Sequence, residues 1–299
     1  MFGFRDVEIL QAIAQAGGFR AAAARSGMSQ SAMSTRVAAL ERRLGVRLFD
    51  RLGRGVRLST AGRRLLEESA RLIAARDRVV RELAGGAGLR GTVRIGVAET
   101  IVHTLLTPLL AALRAEHPAV RFELTVDTSA ALARALREDV VDVAILLDDA
   151  VPGGAEREPL RPIAVDWYAD GARPPDPEPL SLAALSRESI VTYSKGTTPY
   201  ERIERLFAAV DAPPLLHGSA SLSTVQHLIA SGFGIGLLPR RMVASGHATA
   251  VRDVRPLAVC EAARPEPLRF VVAWIGADDD ATGDTVARAA RTADQSDAE

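Results

Sequence analysis

Between residues 5 and 16, Val7, Ile9, Leu10, Ile13 and Ala14 recur at helical spacing and Gly17-Gly18 stops the run, which predicts a first helix. Residues 19–26 (FRAAAARS) are alanine-rich and helix-favouring, Gly27 is a turn residue, and Ser29 stands where it can cap a third helix running to about Leu44. In that helix Met33, Val37, Leu40 and Leu44 fall at i, i+4, i+7 and i+11, one buried stripe, which turns Gln30, Ser31, Ser34, Thr35 and Arg36 elsewhere. LFDRLGRGVRLS, residues 48–59, reads as two short strands around a Gly53-Arg54-Gly55 turn, with Arg51, Arg54 and Arg57 projecting from the hairpin. Thr60 is expected to cap a long helix to about Leu83. There Leu65/Leu66, Leu72/Ile73 and Val79/Val80 repeat every seven residues, the period of a coiled-coil seam that pairs two chains. A helix packed on its own domain is the alternative reading of that pattern.

Gly85-Gly86-Ala87-Gly88 marks a linker, and from Thr92 the pattern changes to apolar runs alternating with helical stretches. Strands are predicted at 93–98, 120–126, 141–147, 189–193, 234–239 and 268–275, and helices at 104–116, 129–138, 199–210 and 222–231. Such alternation implies right-handed βαβ units and mostly parallel sheets, whose ligands sit beyond the strand C-termini. The proline-rich stretch 173–179 is a surface loop, and a short helix or frayed tail is expected after Ala277.

A chain of 299 residues with 47% apolar and 25% charged positions can bury two or three cores. The zero net charge hides an asymmetry. Residues 1–90 hold 17 Arg against 8 Asp and Glu, a net +9, and the remainder a net −9, so the first part suits a polyanion and the second something different. No stretch approaches the roughly 18 apolar residues of a membrane span, and MFGFRDVEIL lacks the apolar core of a secretion signal. The single cysteine, Cys260, suits a reducing compartment, so a cytoplasmic protein is expected.

A capped helix entering the major groove by its first turn, with arginines on phosphates, gives a physical account of DNA binding. Gln30 can pair bidentately with adenine; Ser31, Ser34 and Thr35 can bond bases or phosphates; Arg20, Arg36, Arg51, Arg54 and Arg57 are phosphate or minor-groove candidates. Catalytic and metal chemistry find little support. Gly232-Phe233-Gly234-Ile235-Gly236 precedes a strand instead of opening a helix after one, so it is no dinucleotide loop. The histidines at 103, 117, 217, 227 and 247 lack metal-ligand spacing, and Cys260 lacks the context of a nucleophile. A solute-binding protein explains residues 92–277 but not the basic N-terminus, and an α/β enzyme needs a catalytic constellation that is not found.

Residues 17–62, GGFRAAAARSGMSQSAMSTRVAALERRLGVRLFDRLGRGVRLSTAG, closely resemble the N-terminal signature of LysR-type transcriptional regulators, including Phe19, Ala22-Ala23, Ser29-Gln30, Ser34, Leu40-Glu41, Leu44-Gly45, Leu48-Phe49, Arg51, Thr60 and Gly62. Ser26 departs from it, standing where the family usually has a leucine. Beyond residue 90 the resemblance is looser, through RIGVAETIVHTLLTPLL, an aspartate in VVDVAILL and LIASGFGIGLLP, with Glu138-Asp139 where many members have a glycine, and with Glu99 in the first strand-to-helix loop.

The resemblance implies an α/β multidomain chain: a winged helix-turn-helix (1–59), a linker and dimerisation helix (60–88) and a sensor of two α/β subdomains like those of periplasmic binding proteins. The subdomains are expected at about 92–163 with 266–277 and at about 164–265, followed by a C-terminal helix or tail at 281–299. It further implies a transcriptional regulator, a homodimer or homotetramer on double-stranded operator DNA, with RNA polymerase as a further partner. No metal or cofactor is expected beyond a small-molecule effector between the subdomains. Loops and helix starts after the strands nominate Thr100, Thr128, Ser194, Thr197, Thr198 and Ser223 as its hydrogen-bonding groups. Lys195 suits an anionic effector, whereas Glu99 and Asp127 suit a cationic one, and the residues leave that choice open.

Overall fold

The computed structural model describes residues 3–52, 55–66, 68, 69, 76, 89, 91–244, 254–276 and 281–296. The chain divides into two units, Met1–Ala84 and Gly85–Glu299.

In the first unit α1 (Phe4–Ala16), α2 (Phe19–Ser26) and α3 (Gln30–Leu44) enclose a core of Leu10, Ile13, Met33, Leu40 and Leu48. Ser29 caps α3, its hydroxyl accepting the Ala32 N–H at 3.1 Å. The expected stripe stops at Leu40: Leu44, the last residue of the helix, is exposed. Ser26 does not disturb the core, because it is exposed and its hydroxyl donates to the Ala22 carbonyl at 2.8 Å. β1 (Phe49–Leu52) and β2 (Gly55–Leu58) form the antiparallel wing.

The next helix, α4, is described over 60–66 and again at 68, 69 and 76. Its cap is Ser59, one residue before the expected Thr60: the Ser59 hydroxyl accepts the Gly62 N–H at 3.0 Å and donates to the Arg47 carbonyl at 2.6 Å. Leu65 and Leu66 are half-buried and pack against the core of their own unit. Leu72, Ile73, Val79 and Val80 lie outside the described residues.

The second unit holds two five-stranded sheets. The first has the order β4-β3-β5-β12-β6, from β3 (Thr92–Val97), β4 (Arg121–Val126), β5 (Val143–Leu147), β6 (Glu156–Pro159) and β12 (Phe270–Trp274). The second has the order β11-β7-β10-β8-β9, from β7 (Val165–Asp170), β8 (Ser189–Tyr193), β9 (Leu215–Ser219), β10 (Ile235–Pro239) and β11 (Val254–Pro256). Each sheet has two parallel and two antiparallel pairings, which corrects the expectation of mostly parallel sheets. The antiparallel strands arise where the chain crosses between subdomains and returns. The two crossings meet in an antiparallel bridge between Ile163 and Leu268.

In the first subdomain α5 (Glu99–Thr104), α6 (Leu106–Glu116) and α7 (Ser129–Arg137) cover the sheet, and in the second α8 (Leu182–Leu185), α9 (Thr198–Leu206), α10 (Leu222–Ala230) and α11 (Arg240–Ala244). The Asp142 carboxylate pairs with the Arg94 guanidinium and accepts the Arg94 backbone N–H at 2.8 Å, tying β5 to β3. Asp139 takes the left-handed φ of 53°, which accounts for the glycine that the resemblance puts near this point. Of the helix or tail expected at the C-terminus, the structure has the helix, α12 (Ala281–Ser296), 16 residues long, with Val286, Ala290 and Ala293 in the core.

Candidate nucleic-acid interface and ligand cleft

Capping by Ser29 leaves the first turns of α3 free to present side chains. Gln30, Ser31, Ser34 and Thr35 are all exposed, as are Arg20 at the start of α2 and Arg57 on β2. Ser31 is held by the cap, its hydroxyl 3.0 Å from that of Ser29. Arg54 lies outside the described residues, and Arg51 is placed on β1 by its backbone.

Arg36 is engaged within the domain, which its reading as a phosphate contact did not foresee. Its Nε donates to Asp6 at 2.8 Å while Nη2 of Arg43 donates to the other carboxylate oxygen at 2.9 Å. The Gly3 N–H adds a third bond at 3.0 Å, so a buried carboxylate on α1 fixes the angle of α3. Burial alone would raise the Asp6 pKa, but Arg36, the Gly3 N–H and Arg43 together hold it below the usual carboxylate range. A depressed folded-state pKa gives stability that is fully present above the unfolded value and lost as pH falls through the folded one. Acid titration of this unit is expected to show a loss of helicity below about pH 4 that is absent from Asp6→Asn, itself less stable near neutrality by about 2 kcal/mol. Superimposable acid transitions would refute this role for Asp6.

Glu41 holds the base of the wing, its Oε1 accepting the N–H groups of Leu48 at 2.7 Å and Phe49 at 3.3 Å. The signature contained this residue, but periodicity carried no hint of its bond to a loop.

In the second unit a cavity of about 410 Å³ lies between the subdomains. Glu99, Thr100, Thr128, Ser194, Thr197 and Thr198 all line it. Ser223 does not: it is exposed on the first turn of α10, and Ser219, at the end of β9, lines the cavity instead. Lys195 is exposed and absent from the lining, although its neighbours Ser194 and Gly196 belong to it. Thr128 caps α7, its hydroxyl accepting the Ala131 N–H at 3.3 Å, and the Thr197 hydroxyl donates to the Ser194 carbonyl at 2.7 Å. Glu99 reaches across: its Oε1 accepts the Leu222 N–H of the second subdomain at 3.2 Å and lies 3.3 Å from Nε2 of His103.

Tyr193, the last residue of β8, was missed, though the rule that ligands meet strand C-termini points to it. Its side chain lines the cavity and its buried hydroxyl has no hydrogen-bond partner among the described residues. Burial pushes the phenol up to about 12, and the nearby Thr100 hydroxyl works in the opposite direction. Among the described residues no three His, Cys, Asp or Glu side chains gather as a metal site, and no helix is long and apolar enough to cross a membrane.

Comparison with known proteins bears on both units. Residues 4–63 match the family described as bacterial regulatory helix-turn-helix protein, lysR family, and residues 86–274 match the LysR substrate binding domain. A probable HTH-type transcriptional regulator, LrrA of Synechococcus elongatus, is 30% identical over 239 residues, 79% of this chain and 80% of the relative. An uncharacterized HTH-type regulator, YusT of Bacillus subtilis, is 30% identical over 84% of each chain. The fold is shared with full-length CbnR complexed with target DNA, at a TM-score of 0.67 and 19% identity over 99% of this chain and all of CbnR. A hydrogen peroxide-bound mutant of Corynebacterium glutamicum OxyR gives a TM-score of 0.59 at 22% identity, over 99% of this chain and 95% of that one. These matches cover the exposed first turns of α3 and the intersubdomain cavity alike. The chain therefore belongs to the LysR family of transcriptional regulators, with an N-terminal DNA-binding helix-turn-helix and a C-terminal effector-binding domain, and is a regulator and not an enzyme.

Proposed function

We propose that α3 reads an operator through the major groove, with Gln30 as the principal base contact and Ser31, Ser34 and Thr35 beside it. The observation that carries this reading is the polar, exposed first turn of a helix whose opposite stripe is buried. Arg20, Arg51, Arg54 and Arg57 hold phosphates, and Arg36 aims the helix through Asp6. The chain works as a homo-oligomer on a partly palindromic site in the cytoplasm, within reach of RNA polymerase. Exposed apolar side chains on the edge strands β4 (Leu124, Val126) and β9 (Leu215) support self-association.

The effector occupies the cavity between the subdomains and acts by changing their angle, which it can do only by preferring one arrangement. Glu99 bonded to the Leu222 N–H is the contact that such a change breaks or remakes.

Gln30→Ala is expected to reduce discrimination between the operator and single-base variants by about 1 to 3 kcal/mol, whereas Arg57→Ala weakens binding to all duplexes alike and flattens its salt dependence. Fluorescence anisotropy against a duplex from upstream of the chain's own gene, with single-base variants, separates the two. Unchanged base preference in Gln30→Ala would remove Gln30 from the reading role.

A further inference from the structure

The charge of the effector follows from which groups line the cavity. Its ionisable lining residues besides Tyr193 are three carboxylates, Glu99, Asp127 and Glu201, with no Arg, Lys or His among the described residues of the lining. Helix N-termini in such clefts ordinarily draw an anion, since their free N–H groups and dipoles favour negative charge. Here the chain supplies its own carboxylates at those positions. Glu99 stands in the first turn of α5 and accepts the N–H that opens α10 at 3.2 Å. Asp127 accepts the Thr128 N–H at 2.7 Å, at the start of α7. Glu201 stands in the first turn of α9. An incoming carboxylate would be desolvated among like charges.

Tyr193 is an independent observation. Its hydroxyl is buried with only the Thr100 side chain near it, and a buried polar group in that state gains a partner once a ligand donates to it or accepts from it. Tyr193 and Phe270 put two aromatic residues in the same lining. Arg202 on α9 lines an adjoining cavity of about 260 Å³ and lies 3.5 Å from Asp149.

We propose that this cleft takes an organic cation, a small amine with an apolar body, whose ammonium group is held in the negative field of Glu99, Asp127 and Glu201 while Tyr193 accepts one of its N–H bonds. The proposal rests on the reading of the cavity as the effector site.

Calorimetric titration of the full chain with putrescine and phenethylamine, beside adipate and 3-phenylpropionate as their carboxylate counterparts, tests it. The amines are expected to bind and the carboxylates not. Glu99→Gln, which keeps an acceptor for Leu222, and Asp127→Asn should each weaken the amines about tenfold or more. Ala130→Trp, which fills the cavity from its wall, should abolish binding while leaving the thermal transition in place. If the carboxylates bind instead and Ala130→Trp removes them, the cation is wrong and the effector site stands. If no probe binds, or if binding survives Ala130→Trp, the effector-site reading falls and the cation with it.

Discussion

Asp294→Ala is expected to lower the unfolding free energy of the second unit by about 3 kcal/mol, the range for breaking a buried pair by removing one partner. Asp294 lies on α12, buried, and two parts of the sensor converge on it. Its Oδ2 accepts the Arg161 backbone N–H at 2.8 Å at the end of the first crossing, and its Oδ1 accepts Nη1 of Arg241, from α11 in the second subdomain, at 2.6 Å. Alanine leaves the N–H of Arg161 without its acceptor and the Arg241 side chain, only 26% exposed, with no more than the backbone carbonyl of residue 294 at 3.4 Å. Asp294→Asn keeps an acceptor for Arg161 and removes the charge, so it should fall between wild type and alanine. Both tryptophans of the chain, Trp167 and Trp274, lie in this unit, so urea unfolding followed by tryptophan fluorescence reports on it selectively. A midpoint shift equivalent to less than about 1 kcal/mol would show that α12 is held by its apolar face alone.

That helix also shows where sequence reading stops. Val286, Ala290 and Ala293 are small, and the stretch around them is polar enough to look like a solvated tail; only the sheet and α6 beneath it make it a buried element. The helices α1, α2 and α3 were legible because each ends in glycine and α3 carries its serine cap, signals local to a few residues. Buried strands such as Val143–Leu147 were equally plain as continuous apolar runs. The strands missed, Glu156–Pro159, Val165–Asp170, Leu215–Ser219 and Val254–Pro256, are short, or sit at sheet edges, or carry polar residues that break the pattern. Their pairing depends on partners far along the chain, as when Glu158 meets Val272.

The sites divide in the same way. Polar residues beside a cap or after a strand could be named in advance, and five of the six nominated as hydrogen-bonding groups for the effector line the cavity. Ser223 fails because a helix start can face solvent as readily as a cleft, and only the orientation of α10 decides. Tyr193 and Glu201 come to the cavity through tertiary packing, and the commitment of Arg36 to Asp6 spans α1 and α3, so no spacing rule could show it.

Gly62→Ala is expected to cost about 3 kcal/mol locally at the wing, at the upper end of the usual overpacking range. Gly62 lies in the first turn of α4 with the Leu48 carbonyl directly against it, and a Cβ there would come within 2.1 Å of that oxygen and 3.0 Å of Cδ2 of Leu58. The obstacle is backbone, so no side-chain rotation relieves it. The Leu48 carbonyl also accepts the Ser59 N–H at 2.9 Å, the Leu48 N–H is held by Glu41, and Ser59 caps α4, so displacing Leu48 strains the cap, the wing and the end of α3 together. Hydrogen exchange of amides 48–62 should accelerate on the order of a hundredfold, the Boltzmann factor of that cost. DNA affinity should fall for specific and unrelated duplexes alike, because the wing is misplaced while the first turn of α3 is untouched. Gly3→Ala is the control: a Cβ at Gly3 meets nothing within 4 Å, and its effect should stay below about 1 kcal/mol. Equal exchange in the two variants would mean that the wing base yields cheaply, and its glycine would then need another explanation.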